Sequence, residues 1–295
     1  MTERMKRNPR AIVVIISHKA NLSAWELISL RQCVNVLGAH PITLLLPAGL
    51  DTSWYSACVP EIRIEFVDRR WLASYAMFAA FKISPILYER YSDFEYILFY
   101  EPDAFAFSDQ LGFWCDQGLD YIGAPWFEGF GNPSGDRIIG VGNGGFSLRK
   151  VESHLQIARR FQSEQFLFHG YREHSLDKIR FAKAALLSLL GFERPRPYYL
   201  GPDHYGHEDI FWGRSVPKRY PHFRVATPEQ AIPFSFETSP RQLFKMNGER
   251  LPFGCHAWFR YDLEFWRPHI EAFGHDLGLD MDSIPAPSGH ASARN

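Results

Sequence analysis

The sequence predicts an α/β fold in which a mixed β-sheet is flanked by helices within a single domain. The run Ala11–Ile16 is continuous and rich in β-branched residues, as in strands buried on both faces of a parallel sheet. Residues 21–37 follow with apolar side chains at helical spacing, and residues 41–46 supply the next buried strand. Because strands and helices alternate in this way, the pattern favours a doubly wound sheet.

Further elements are predicted along the chain. Strand patterns lie at residues 62–66, 96–100, 104–109 and 121–125. Helix patterns lie at residues 71–90, with a break near Pro85, and at residues 110–117, 151–161 and 177–190. Residues 126–145 are rich in glycine and predict a long loop, and long loops inside compact domains are usually functional.

The length of 295 residues allows one large domain with a substantial core. We expect a basic tail at residues 1–10 and one large α/β domain at residues 11–280. Residues 281–295 are rich in Pro, Ser, Gly and Ala and are expected to form a disordered tail.

Charge and cysteine content narrow the classes of function. The chain has 32 Lys and Arg against 33 Asp and Glu, so no broad positive field exists to hold a nucleic acid. The four cysteines show no C-x-x-C spacing, which disfavours a zinc knuckle and a disulfide framework and fits reduced thiols. We therefore expect a cytoplasmic protein that does not bind nucleic acid.

Membrane contact is expected to be peripheral if it occurs. The apolar run Ala11–Ile16 is too short for a signal sequence or a membrane span. The predicted helix at residues 177–190 sets Arg180 and Lys183 beside an apolar stretch. Such a helix can rest on the inner face of the membrane, or it can turn its apolar side to the core.

A pair of carboxylates ends the predicted strand at residues 96–100. Glu101 and Asp103 are two residues apart, so they lie on one side of the strand's carboxyl end, where open α/β sheets bind ligands. Carboxylate oxygens can bind a hard divalent cation, and phosphate oxygens can complete its coordination shell. Alternatively, Asp103 makes an Asx turn and Glu101 is solvated.

A glycine-rich segment surrounds Asn143. Gly144 and Gly145 allow backbone to approach a ligand closely, and the residues that follow alternate as in a strand. No Lys-Ser/Thr pair follows, so the segment is not a phosphate-binding P-loop. It predicts either a binding wall or a tight turn.

Two later motifs carry candidate acid–base and metal-binding groups. Glu208 and Asp209 stand at a predicted helix start and point in different directions, so one carboxylate can enter a pocket as a general base. Alternatively, both are ordinary first-turn acids. His256 lies beside Gly254 near the last predicted strand and can ligate a metal or contact a diphosphate.

In this order, the four motifs resemble those of the GT-A glycosyltransferase superfamily, which has a Rossmann-like nucleotide-diphospho-sugar transferase fold. More closely, the chain resembles a bacterial and fungal family of glycosyltransferase-like proteins known mainly as a domain of unknown function. The resemblance covers residues 11–266. It depends on residues 96–107, 121–127, 141–150 and 207–211.

The resemblance implies a divalent metal, Mn or Mg, that grips the diphosphate of a nucleotide sugar. An Asp-x-Asp element of the superfamily matches Glu101-Pro102-Asp103, so Asp103 is the implied metal ligand and His256 the implied late ligand. Glu101 departs from the pattern and is expected to touch ribose or to bind through water.

The resemblance also implies an inverting sugar transfer. A Glu-Asp pair at a helix start matches Glu208 and Asp209, so both are implied catalytic residues, with Asp209 as the base. The implied donor is a nucleoside-diphosphate sugar, with a UDP-sugar favoured, and the implied acceptor is a hydroxyl of a glycan or lipid-linked glycan.

Further binding roles follow from the same comparison. The implied donor-binding residues are Ser17, His18, Lys82, Asn143, Gly144 and Gly145. Lys82 is expected either to reach a phosphate or to lie on the surface. Trp126 and Phe127 precede the glycine-rich segment and are expected to stack on an acceptor ring.

Rival classes share parts of this pattern. A sugar-phosphate nucleotidyltransferase would carry a glycine-rich loop after the first strand, and residues 17–21 contain no glycine. A glycoside hydrolase could use Asp103 and Asp209 as its carboxylate pair. A non-catalytic carbohydrate-binding domain would use these acids only structurally.

Overall fold

The computed structural model describes residues 10–130, 133, 135–172 and 207–278 of the chain. Its strands are β1 Ala11–Ile16, β2 Ile42–Pro47, β3 Arg63–Val67, β4 Tyr96–Tyr100, β5 Phe105–Ala106, β6 Tyr121–Ile122, β7 Ala124–Phe127, β8 Ile138–Gly142, β9 Phe146–Lys150, β10 Ser235–Phe236 and β11 Gly254–Cys255. Its helices are α1 Ala24–Leu37, α2 Ser53–Cys58, α3 Tyr75–Ile83, α4 Pro85–Arg90, α5 Leu111–Asp116, α6 Val151–Arg172, α7 Glu208–Ile210, α8 Val216–Arg219, α9 Pro228–Ala231, α10 Pro240–Met246 and α11 Leu263–Glu271. A 3₁₀ turn at Arg69–Leu72 precedes α3, and a π-helical turn at Phe211–Ser215 follows α7.

The central sheet has six strands in the order β3-β2-β1-β4-β9-β6. The first four are mutually parallel, whereas β9 runs antiparallel to both β4 and β6. In register, Leu98 of β4 lies between Val13 of β1 and Leu148 of β9. The predicted fold class, a mixed sheet flanked by helices, is therefore confirmed.

Alternate residues of β1 enter different halves of the core. Val13 packs in one apolar cluster with Leu30 of α1, and Val14 packs in a second with Phe81 of α3. Every residue of β1 is buried, as its β-branched composition predicts for a strand covered on both faces. A third cluster surrounds Trp258 near the C-terminal end of the described chain.

Local chemistry sets two helix boundaries. Ser23 Oγ accepts from the Glu26 amide while the Glu26 carboxylate accepts from the Ser23 amide, a capping box that starts α1 at Ala24. The break predicted near Pro85 is confirmed, because α3 ends at Ile83 and Pro85 opens α4. Proline suits a first helical position, where its missing N–H is not needed.

The segment between residues 104 and 145 differs from the prediction. The strand predicted at residues 104–109 is only Phe105–Ala106, and it pairs with β11 in a small three-stranded sheet. The predicted loop at residues 126–145 contains most of a hairpin formed by β7 and β8. Two of its glycines pack against the indole of Trp126, since a Cβ would lie 3.3 Å from the ring at Gly140 and 1.6 Å from it at Gly142.

Gly123 divides the predicted strand at residues 121–125 into two. Ile122 belongs to the central sheet, whereas Ala124 begins the β7–β8 hairpin. A Cβ on Gly123 would lie 1.8 Å from the carbonyl oxygen of Gly142, so the two backbones touch at this crossing. The glycine is therefore required by close approach of main chain to main chain.

Several predictions fall outside the described residues. The helix at residues 177–190, with Arg180 and Lys183, is among them, as are residues 1–9 of the N-terminal tail and the tail at residues 281–295. The domain boundaries at residues 11 and 280 stay predictions. Across the described ranges, no helix combines the length and apolarity needed to cross a membrane.

Substituting Gly123→Ala tests the crossing of the two backbones. The added methyl group would overlap the Gly142 carbonyl, and main chain cannot move aside cheaply, so we expect a loss of about 3 kcal/mol in the free energy of unfolding. The measurement is urea denaturation. Gly112→Ala is the matched control, because a Cβ there meets open space within α5 and should stabilise by about 0.5–1 kcal/mol. Equal midpoints for both variants would contradict this account.

Candidate active site

Three potential metal ligands meet at the carboxyl edge of the central sheet. Glu101 and Asp103 follow β4, and His256 follows β11. Each of the three offers a ligand atom, and these atoms all lie within 4.8 Å of one another. The structure thus brings together Asp103 and His256, the two ligands expected from the sequence, and adds Glu101 to the group.

The imidazole of His256 is oriented as a metal ligand would be. Its Nδ1 lies 3.0 Å from Oε1 of Glu237, and its Nε2 lies 3.1 Å from Oδ1 of Asp103 and 3.7 Å from Oε2 of Glu101. Nε2 is buried and makes no hydrogen bond to any described residue. In metal-binding histidines, one ring nitrogen commonly bonds to a carboxylate, and the other ring nitrogen binds the metal.

The charge balance of this group favours a cation. Burial alone would lower the pKa of His256, but the carboxylates of Asp103, Glu101 and Glu237 raise it well above its ordinary value. The group therefore takes up positive charge, as a proton or as a metal ion. Two carboxylates with one imidazole suit Mn²⁺, and the oxygens alone suit Mg²⁺.

Sequence reasoning missed Glu237. It follows β10, a strand of two residues that pairs in parallel with β11, so the carboxylate arrives beside His256 through sheet pairing. A single acidic residue after a short strand forms no motif. Only the parallel pairing of β10 with β11 could have indicated its role.

Lys82 lies at the centre of a buried charge network behind the metal-ligand group. Only 1% of its side chain is exposed. Its Nζ is 2.5 Å from Oε1 of Glu101, 2.7 Å from the carbonyl oxygen of Gly144 and 3.2 Å from Oε1 of Glu208. These contacts match the three donors of an ammonium group.

The position of Lys82 corrects one expectation and weakens another. It is not a surface lysine, and its donors are directed to protein acceptors rather than left free for a phosphate. Burial opposes ionisation of Glu101, yet the Lys82 charge and His256 hold the pKa of Glu101 well below its usual range. Lys82 therefore keeps one carboxylate of the metal-ligand group charged.

Glu208 is bound within the same network. Its Oε2 accepts from Nη2 of Arg149 at 2.8 Å, its other oxygen faces Lys82, and only 7% of the side chain is exposed. The Arg149 guanidinium is fully buried, lying 4.4 Å from the ring centroid of Phe99. The Glu208 carboxylate thus forms ion pairs with two buried cations, which favours a structural role over the expected catalytic one.

Asp209 faces the other way and has the properties of a base. Its Oδ2 accepts from the Asn143 amide at 3.3 Å, and its Oδ1 accepts from the Ile210 amide at 2.9 Å. Burial, reinforced by the Glu208 and Glu237 carboxylates, raises the pKa of Asp209 to about 7. A carboxylate with that pKa can accept a proton efficiently near neutral pH. Through the Asn143 amide, Asp209 is joined to the segment whose Gly145 packs against His256.

The glycine-rich segment links these two groups. Asn143 has a φ of 95°, and its Oδ1 accepts from the Gly145 amide at 2.7 Å, while its buried Nδ2 has no hydrogen-bond partner among the described residues. A Cβ at Gly144 would lie 2.1 Å from Oε1 of Glu208, and one at Gly145 would lie 2.1 Å from Nε2 of His256. The segment is therefore a tight turn and also a wall of the site.

The remaining candidates fall into two groups. His18 is exposed at the carboxyl end of β1, next to β4, as expected for a ligand-facing position. Ser17 is buried, and its hydroxyl accepts from Tyr55 Oη at 3.2 Å, which indicates a structural role. Trp126 and Phe127 are 6% and 0% exposed, so the expectation that they stack on an acceptor ring is wrong.

Replacing Lys82 by methionine should destabilise the fold strongly. Glu101 and Glu208 would keep their buried charges without the ammonium between them, and breaking a buried ion pair from one side costs about 3–5 kcal/mol. The control is Arg159→Met, which breaks an exposed pair with Glu89 and should cost less than about 1 kcal/mol. Urea denaturation of both variants measures the difference. A Lys82→Met protein as stable as the control would show that the network is not needed for folding.

Comparison with solved structures gives distant similarities, among them several glycosyltransferases. Mouse xyloside xylosyltransferase 1 is 10% identical with a TM-score of 0.45, over 84% of this chain and 96% of that one. The galactosyltransferase LgtC, in complex with donor and acceptor sugar analogues, is 12% identical with a TM-score of 0.44, over 88% and 95%. Core-mannan synthase A from Aspergillus fumigatus, in its Mn/GDP form, is 12% identical with a TM-score of 0.38, over 71% and 73%. TM-scores below 0.5 are too low to transfer residue roles, so we assign none from these proteins.

Comparison of the sequence with protein families gives a closer relationship. No curated protein matches the chain. Residues 61–256, roughly two thirds of the chain, match a family described as a protein of unknown function, DUF5672. This match spans the glycine-rich segment and the residues Lys82, Glu101, Asp103, Asp209 and His256. The protein is accordingly a member of the DUF5672 family.

Proposed function

We propose that the protein is a metal-assisted glycosyltransferase that moves a sugar from a nucleoside-diphosphate sugar to a hydroxyl of a glycan or glycolipid. A UDP-sugar is the favoured donor, and Mn²⁺ or Mg²⁺ is the proposed metal. Asp209 is the proposed base, and the transfer is proposed to invert the anomeric configuration.

The observation that carries the proposal is the meeting of a cation-binding group and an independent base at one sheet edge. Glu101, Asp103 and His256 offer ligand atoms within 4.8 Å of one another. Asp209 lies outside that group and has a pKa of about 7. A transferase needs both, because one group must hold the diphosphate while another accepts the proton of the incoming hydroxyl.

Each residue of the candidate site has a separate proposed role. Asp209 accepts the proton of the acceptor hydroxyl while the acceptor oxygen bonds to the anomeric carbon and the bond from that carbon to the diphosphate oxygen breaks. Asp103, His256 and Glu101 would hold the cation, whose charge stabilises the departing diphosphate. Lys82 and Arg149 hold Glu208, and with it the Asp209 segment, in place.

A glycoside hydrolase could also use two carboxylates, but it has no need of a diphosphate grip. The partly buried His256, held by Glu237 beside two acids, would then serve no purpose in the reaction. This difference makes nucleotide binding the property that separates the two proposals. A carbohydrate-binding domain without activity is separated by the same measurement.

The first test is calorimetric titration with UDP, GDP and CMP and their sugars, in the presence of Mn²⁺, Mg²⁺ or chelator. We expect one nucleoside diphosphate to bind only in the presence of metal. Its affinity should fall at least about tenfold in Asp103→Asn, because a carboxylate of the proposed metal-ligand group is replaced by a neutral amide. Asp93→Asn is the control, because that exposed carboxylate precedes β4 and so lies at the opposite edge of the sheet.

Two results would contradict the metal-assisted transferase. Binding that is unaffected by chelator and by Asp103→Asn would remove the metal-ligand group from the donor site. No binding to any nucleotide would favour the hydrolase or the non-catalytic domain.

The second test is the variant Asp209→Asn, with donor turnover to free sugar as the assay. Because the base is lost and the ligands are kept, turnover should fall about 10²–10⁴-fold while nucleotide binding is unchanged. In the parent protein, turnover should fall with decreasing pH below about 7, as Asp209 becomes protonated. Activity that stays flat from pH 8 to pH 5, or a transfer product that retains the donor's anomeric configuration by NMR, would exclude Asp209 as an inverting base.

A further inference from the structure

An exposed aromatic side chain stands beside the proposed base. Tyr75, the first residue of α3, is 61% exposed, the highest exposure of any large hydrophobic side chain among the described residues. Its hydroxyl lies 2.8 Å from Nδ1 of His207, and the two rings meet edge to face with centroids 5.6 Å apart. His207 is also exposed. The pair is therefore a fixed aromatic surface open to solvent.

The position of this pair follows from α3. Tyr75 and Lys82 are seven residues apart, which is two turns, so they lie on one face of the helix. Lys82 contacts Glu208, and Tyr75 contacts His207. One face of α3 thus runs along His207 and Glu208, the two residues that precede the proposed base Asp209 in the chain.

The electrostatics agree with this placement. Partial burial raises the pKa of the Tyr75 phenol well above its usual range. Among the charged groups that act on this phenol, the carboxylate of Asp209 contributes most, followed by Glu208, Glu101 and His256. The aromatic pair therefore belongs to the same site as the proposed base, and its contact with His207 puts it on the segment that carries Asp209.

We propose that Tyr75 and His207 form a subsite for a pyranose ring of the acceptor. This inference rests on the proposed function, since it identifies the acceptor side of the same site. A pyranose has an apolar C–H face that packs on an aromatic ring, and hydroxyl groups that bond to polar ring edges. The Tyr75–His207 hydrogen bond holds the surface in place before binding, which lowers the entropic cost of the complex.

The placement argues against a nucleobase on this surface. A nucleobase must lie within reach of its own diphosphate, whose proposed grip is Glu101, Asp103 and His256. His18 is exposed at the end of β1, and the neighbouring strand β4 leads into that grip. The ring that must lie beside Asp209 is the one whose hydroxyl loses a proton, and that ring belongs to the acceptor.

The test uses saturation-transfer difference NMR on the full chain with Mg²⁺, UDP and a panel of methyl pyranosides: glucoside, galactoside, mannoside, rhamnoside and xyloside in both anomers. We expect ring C–H signals from at least one pyranoside. They should fall at least about fivefold in Tyr75→Ala and persist in Tyr75→Phe, which keeps the ring. Phe113→Ala is the control, because it removes a 56% exposed ring on α5. That helix contacts Arg10 before β1, at the far edge of the sheet.

UDP binding is measured on the same variants by calorimetry. The subsite requires UDP affinity to be unchanged within about twofold in Tyr75→Ala, and a fall in UDP affinity would reassign the ring to the donor. Equal pyranoside signals in Tyr75→Ala and the parent protein, or no signal from any pyranoside in the parent, would overturn the inference. A Tyr75-dependent pyranoside signal from a parent protein that binds none of UDP, GDP and CMP would preserve the sugar subsite and refute the transferase, so the two failures are distinguishable.

Discussion

Lys82 carries a positive charge into a part of the protein where water does not reach. An ammonium group in that position is tolerable only if all of its donors find acceptors, because an unpaired buried charge costs several kcal/mol. Its acceptors come from three separate parts of the chain: the end of β4, the glycine-rich segment and the start of α7. The strands and helices that bring these parts together are therefore held to one geometry.

The network beyond Lys82 alternates in charge. Arg149 is followed by Glu208, then Lys82, then Glu101, and each step is an ion pair between side chains that are largely or fully withdrawn from solvent. The sequence of charges starts on β9 in the central sheet and ends at the proposed metal ligands. Because a missing member would leave its neighbours unpaired, the proposed metal ligands and the segment that carries the proposed base are fixed by the same set of interactions.

The sequence predicts the fold better than it predicts the residues that hold the candidate site in place. Apolar runs such as Tyr96–Tyr100 are long enough to identify the parallel strands, and the carboxylates that follow β4 indicate the ligand-binding edge. The role of Glu237 and the contacts of Lys82 could not be predicted from the sequence, because each depends on residues brought together from distant parts of the chain. The prediction for Trp126 failed for a related reason, since an aromatic side chain looks the same in sequence whether it lines a pocket or packs on Gly140 and Gly142.

Gly144 and Gly145 have a consequence for the family's sequences. One stands against Glu208 and the other against the imidazole of His256, so each glycine is required by a different neighbour. Substitution at position 145 is then coupled to substitution at position 256. A side chain at position 145 becomes tolerable only after His256 is replaced by a smaller residue. A family member that carried such a double change would lack the imidazole, and with it one of the three proposed metal ligands.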